Sequence, residues 1–126
     1  MKLLIQYLAV GTAGALGSMC RYFVGMACGR LFGSAFPVGT MVINLSGCLL
    51  LGWFMAFIRE RVAVSESLRV AVAIGFVGAY TTFSTFAYES NSLLEDGSAI
   101  KAAINIFGSL IVGLIAVRLG IYLGSR

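Results

Sequence analysis

The sequence predicts an all-α integral membrane protein of four transmembrane helices, the third of them broken. Three observations carry this. Of 126 residues, 60% are apolar and 11% are charged, where soluble domains carry about 25% charged residues. The mean hydropathy is +0.97, and apolar runs of membrane length recur four times with short polar segments between them. The third run is interrupted by glycine and hydroxyl residues. A soluble chain this small buries only about two-thirds of its unfolded surface, so it would leave much of this apolar excess in water. Three cysteines are too few, and odd in number, for a secreted disulfide scaffold. Four spans of about 20 residues use about 80 positions. They leave one transmembrane domain over 1–126, with spans at about 3–31, 38–58, 69–92 and 99–123.

The first span runs from Leu3 to Leu31. Its opening resembles a signal sequence, and Leu16-Gly17-Ser18-Met19-Cys20 faintly resembles a lipoprotein cleavage box. Met19 stands where a small residue is needed, and the apolar pattern continues past Arg21, so a retained helix is expected. Pro37 suits the start of the second span. Val38 to Ile58 is uncharged, with Trp53 near its end as an interfacial aromatic. Arg59-Glu60-Arg61 marks water, and Val62 to Leu68 is a short connector.

The third span runs from about Arg69 through Glu89. Its Gly75 to Phe86 stretch holds two glycines and the hydroxyl residues Thr81, Thr82, Ser84 and Thr85. Glycine and β-branched threonine both lower helix propensity, which predicts a break near Gly78 to Thr82. Irregular backbone at membrane depth survives only inside protein or beside water, so the break carries functional weight. After the Glu95 to Gly97 loop, the fourth span covers about Ala99 to Leu123, with Asn105 and Ser109 spaced for one face. An even number of spans puts both termini on one side. Lys2, Arg59, Arg61, Arg69 and Arg126 share that side, against Arg30 and Lys101, which favours cytoplasmic termini.

Composition excludes several functions. Without histidine there is no Ser/His/Asp or Cys/His machinery and no ordinary neutral-pH proton carrier. Cys20, Cys28 and Cys48 lack metal-ligand spacing and read as small apolar residues. Nine basic against five acidic residues read as topology signals, and no basic patch interleaves with aromatics to suggest nucleic acid. An enzyme is not expected. Sixteen glycines suit close helix contacts, with Gly25-x-x-x-Gly29 and Gly120-x-x-x-Gly124 at the right spacing.

The polar remainder is small. Asn44, with Thr40 one turn before it, is either an interhelical hydrogen bond or an amide donor facing an anion path. Gly39 and Gly47 would keep its surroundings open. Phe83 and Phe86 are spaced for one face, as packing or as ring edges that meet an anion. Thr82, Ser84 and Thr85 add hydroxyl donors. Carbonyls of an unwound Gly78 and Thr81 could hold a hard cation. Arg21 is either an interface anchor or a vestibule cation that concentrates anions. Glu89 is a boundary residue or a partner for the hydroxyls.

Three blocks then resemble one family across nearly the whole chain, the CrcB/Fluc fluoride channels. They are Gly14-Ala15-Leu16-Gly17-Ser18-Met19-Cys20-Arg21-Tyr22, Gly39-Thr40-Met41-Val42-Ile43-Asn44-Leu45-Ser46-Gly47, and the Gly75 to Phe86 stretch. The resemblance implies an antiparallel, dual-topology homodimer in the bacterial inner membrane, with fluoride pores at the subunit interface. It implies fluoride contacts at Asn44, Phe83 and Phe86, a lining of Thr40, Thr82, Ser84, Thr85 and Ser109, and Arg21 in the vestibule. It also implies a structural Na⁺ held at the dimer axis by Gly78 and Thr81 carbonyls. Asn105 departs from an aromatic found in some relatives. A small multidrug-resistance exporter is the alternative, but it needs an acidic residue in its first helix, and Leu3 to Leu31 has none. A non-conducting assembly subunit would leave Asn44 and the Thr/Ser/Phe track without a role.

Overall fold

A computed structural model describes residues 1–59 and 64–126, and among these there is no strand. Glu60, Arg61 and the first residues of the Val62–Leu68 connector lie outside the described residues. Four elements are long and apolar enough to cross a membrane: α1 (Lys2–Phe32), α2 (Val38–Arg59), α3 (Glu66–Glu95) and α4 (Ala99–Gly124).

The ends follow local chemistry. Gly33, at φ 73°, closes α1 by donating its N–H to the Gly29 carbonyl at 3.0 Å. The Pro37 carbonyl accepts from Met41 N–H at 3.1 Å as α2 begins. Ser65 caps α3, its hydroxyl accepting from Leu68 N–H at 3.2 Å. Gly97, at φ 71°, turns the chain between α3 and α4.

Two seams organise the bundle. One is the α2–α4 seam, where Gly120 and Gly124 sit against α2 backbone: a Cβ at Gly120 would overlap the Leu49 carbonyl, and one at Gly124 the Trp53 carbonyl. The other seam joins α1 to the first half of α3, where Gly17 lies on the Phe76 backbone and Gly75 on that of Val10. The two expected glycine pairs therefore differ in use. Gly120 and Gly124 are packed, and Gly25 meets Gly39 of α2, but Gly29 faces open space. Gly39 does not hold space open beside Asn44, because α1 fills it.

Lys2 bonds Glu66 at 2.9 Å, joining the start of α1 to the start of α3. Gly124 lies against Trp53 near the end of α2, so both chain termini sit at the same end of the bundle. The apolar side chains mostly face outward. Tyr22, Ile104, Phe107 and Leu114 are all exposed, while a thin core holds Ile43, Phe54, Ile58 and Val77. Such an exterior suits lipid, and helices satisfy their own backbone there.

Two departures from regular α-helix have no counterpart in the expectations. Ala71–Val77 and Ile104–Gly108 are π-helical. The first coincides with the close approach of Gly75 to Val10. Such wide turns are rare and concentrate near functional residues.

Candidate functional site

The site is built around the break in α3. Thr81 N–H and Thr81 Oγ1–H both donate to the Val77 carbonyl at 3.0 Å. The backbone then leaves the helix, at ψ 161° for Thr81 and φ −150°, ψ 119° for Thr82. The break is narrower than the expected Gly78 to Thr82 segment: Gly78–Tyr80 is still helical, and Gly78 has φ −62°, ψ −36°. Glycine only weakens a helix. Here the hydroxyl of Thr81, bonded back to the preceding turn, marks the departure point.

Asn44 of α2 closes the break. Its Oδ1 accepts from Thr82 N–H at 2.8 Å, and its Nδ2 donates to the Thr82 carbonyl at 3.0 Å. One side-chain amide thus replaces the two backbone partners that the helix would have supplied, as buried peptide groups require. One N–H of Nδ2 remains after this pairing. Gly47, one turn along α2, lies where a Cβ would overlap the Thr81 methyl, so the break and α2 are in direct contact. Ser46 and Tyr80 share a hydrogen bond of 2.8 Å on the same seam.

Thr82 also starts the second half of α3, Phe83–Glu95. Its hydroxyl accepts from Thr85 N–H at 3.3 Å, donates to Thr85 Oγ1 at 3.0 Å and lies 3.4 Å from Ser84 Oγ. Phe83 and Phe86 follow on one face, ring centroids 5.8 Å apart and tilted by 45°. Phe83 is 79% exposed, whereas Phe86 is half-buried.

A cavity of about 810 Å³ opens between α1, α2 and the second half of α3. Arg21, Thr40, Thr82, Thr85 and Glu89 all line it. Arg21 donates to the Thr81 carbonyl at 3.4 Å, which ties the cation to the break. Thr40 donates to Glu89 Oε1 at 2.9 Å, and Glu89 Oε2 has no partner among the described residues. Glu89 is therefore a hydrogen-bond acceptor inside the site, but for Thr40 of α2 and not for the expected Thr82, Ser84 and Thr85 hydroxyls.

The remaining expected residues are not all gathered here. Asn44 reaches the cavity through Thr82, and Phe83, Phe86 and Ser84 adjoin it in sequence but do not line it. Ser109 is on α4, its buried hydroxyl without a partner among the described residues. Asn105 is fully buried in the Ile104–Gly108 π-turn, and its amide donates to Ser90 Oγ at 2.9 Å, which itself donates to the Phe86 carbonyl at 2.7 Å. Sequence reasoning assigned no part to Ser90 or to the Ser46–Tyr80 pair. Their residue types are unremarkable, and only the fold brings the partners together.

Residues 8–121 match the family model described as CrcB-like protein, Camphor Resistance (CrcB). The chain is similar to the fluoride-specific ion channel FluC of Maridesulfovibrio salexigens, with 39% identity over 119 residues, 94% of each chain. It is also similar to the proteins of that name from Chloroflexus aurantiacus, 44% identical over 93% of each chain. For the one from Geotalea daltonii, the identity is 45% over 89% of this chain and 90% of the relative.

Proposed function

The chain belongs to the CrcB family, and on that premise we propose that it is a fluoride-specific ion channel giving passive export of cytoplasmic fluoride. It is a multi-pass membrane protein and a channel, not an enzyme. The observation that carries the mechanism is the Asn44–Thr82 pairing, which holds irregular backbone open beside a polar cavity.

Fluoride enters cells as neutral HF, dissociates, and is trapped as the anion. An inside-negative potential drives it out by about 2.3 kcal/mol per 100 mV, so a leak suffices and no proton relay is needed. Along the path, Arg21 attracts the anion at the cavity. The spare Asn44 N–H, the Ser84 and Thr85 hydroxyls and the positive edges of Phe83 and Phe86 replace its hydration. Ser109 adds a hydroxyl from α4. Thr40 has its proton on Glu89 and serves first to hold that carboxylate.

The conducting unit is an antiparallel, dual-topology homodimer in the bacterial inner membrane. Four helices enclose little lumen by themselves, and the exposed Phe83 ring is available to a second copy. A structural Na⁺ fits the break in part. Thr82 N–H, the helix donor that the Gly78 carbonyl would otherwise have, is taken by Asn44, and Gly78 is exposed. The Thr81 carbonyl keeps a lone pair beside its Arg21 contact. Gly78 and Thr81 from two copies would hold the ion, which would fix the two breaks against each other.

Growth of a fluoride-sensitive bacterium expressing the chain tests the function. Restored growth in fluoride is expected, and no gain over empty vector would contradict it.

A further inference from the structure

At the end of the bundle where the chain begins and ends, a cavity of about 490 Å³ lies among α2, α3 and α4. Met55, Ile58 and Ile121 give it apolar walls, and Arg59 and Arg69 contribute two guanidinium groups. Two neighbouring charges among the described residues are already engaged. Lys2 holds Glu66, the acid three residues from Arg69, at 2.9 Å, and Arg126 lies over the Tyr122 ring, 4.3 Å from its centroid. The guanidinium groups of Arg59 and Arg69 have no salt bridge or hydrogen bond among the described residues, although Arg69 lies near enough to Glu66 to feel its charge.

Two unpaired cations sharing one cavity repel, and a common counter-anion relieves this. Guanidinium forks match phosphate oxygens in pairs. The walls narrow the choice, because a free phosphate would leave Met55, Ile58 and Ile121 facing water, whereas a lipid chain covers them. The depth agrees: Trp53 and Phe57 stack at 5.1 Å on the last turns of α2, where interfacial aromatics sit at headgroup level. Basic pockets between membrane helices are recognised headgroup sites.

We propose that this cavity binds the phosphate of an anionic phospholipid between Arg59 and Arg69, with the acyl chain along its apolar wall. The site is distinct from the anion path and independent of what the pore conducts.

The test titrates the purified full chain in detergent with dioleoyl-phosphatidylglycerol, dioleoyl-phosphatidylcholine or inorganic phosphate, reading bound lipid by native mass spectrometry. The anionic lipid is expected to bind at least about tenfold more tightly than the zwitterionic one. Substituting Arg59→Gln with Arg69→Gln should abolish the preference. Arg59→Lys with Arg69→Lys should keep most of it, which separates charge from folding. Should the double glutamine variant not fold, Arg69→Gln alone is expected to lower the preference by about threefold. Equal binding of the two lipids by the parent chain would overturn the proposal, as would a preference that survives both glutamines. Displacement of the lipid by equimolar inorganic phosphate would make this a free-anion site and would equally overturn it.

Discussion

Asn44 and Thr82 pair as two backbone segments would, N–H to oxygen in both directions at 2.8 and 3.0 Å, although they lie 38 residues apart. The side chain that a fluoride path would use as a donor is therefore also the clamp that keeps α3 open.

That double duty separates two substitutions. Asn44→Ala removes both bonds and is expected to cost about 1–3 kcal/mol, the usual penalty for leaving buried polar groups unpaired, with loss of fluoride flux. Asn44→Asp keeps the acceptor for Thr82 N–H but loses the donor and adds a negative charge, so flux should fall further than stability does. Thermal unfolding in detergent, read beside efflux from vesicles, checks both. An Asn44→Ala protein as stable as the parent would remove the clamp from the account.

Gly47 and Gly29 make a matched pair. A methyl at Gly47 overlaps the Thr81 methyl, whereas one at Gly29 meets nothing within 4 Å. Gly47→Ala is expected to destabilise by about 1–3 kcal/mol through overpacking and to slow flux by shifting the break. Gly29→Ala should stay within about 0.5 kcal/mol. Equal melting shifts for the two would contradict the close contact at the break.

Phe83 is 79% exposed in the single chain, so its role does not lie in the subunit core. Phe83→Ile should change subunit stability by no more than about 0.5 kcal/mol while suppressing fluoride flux. The check is efflux together with size-exclusion elution of the same sample. Undiminished flux would take Phe83 out of the path.

Replacing Na⁺ by a bulky organic cation tests Gly78 and Thr81. If their carbonyls hold the ion between two copies, the dimer should dissociate at lower denaturant without Na⁺. A dimer midpoint insensitive to the exchange would count against that site.

Much of this architecture is legible in the residues. The spans are, because each is a long apolar run ended by charge, glycine or proline: α1 ends at Phe32 before Gly33, and α2 begins after Pro37. The break is legible because Thr81 and Thr82 cannot easily continue a helix, though its narrow extent is not, since a helix tolerates Gly78. The π-turns at Ala71–Val77 and Ile104–Gly108 were not anticipated. A wide turn shifts register by one residue and leaves no compositional trace. At the site, residue types point to polar chemistry while their partners stay hidden. Nothing local to Thr40 says that it bonds Glu89, or to Asn105 that it bonds Ser90. Those pairs exist only once α2, α3 and α4 are packed together.

The central claim is that a break held by Asn44 and flanked by Phe83 and Phe86 passes fluoride and little else. Efflux from liposomes reconstituted with the purified chain, loaded with equal fluoride and chloride and read by ion-selective electrodes, tests it most directly. The account predicts rapid fluoride release with chloride retained, and fluoride release reduced to background in Phe83→Ile vesicles. Equal release of the two anions, or release of neither, would contradict it.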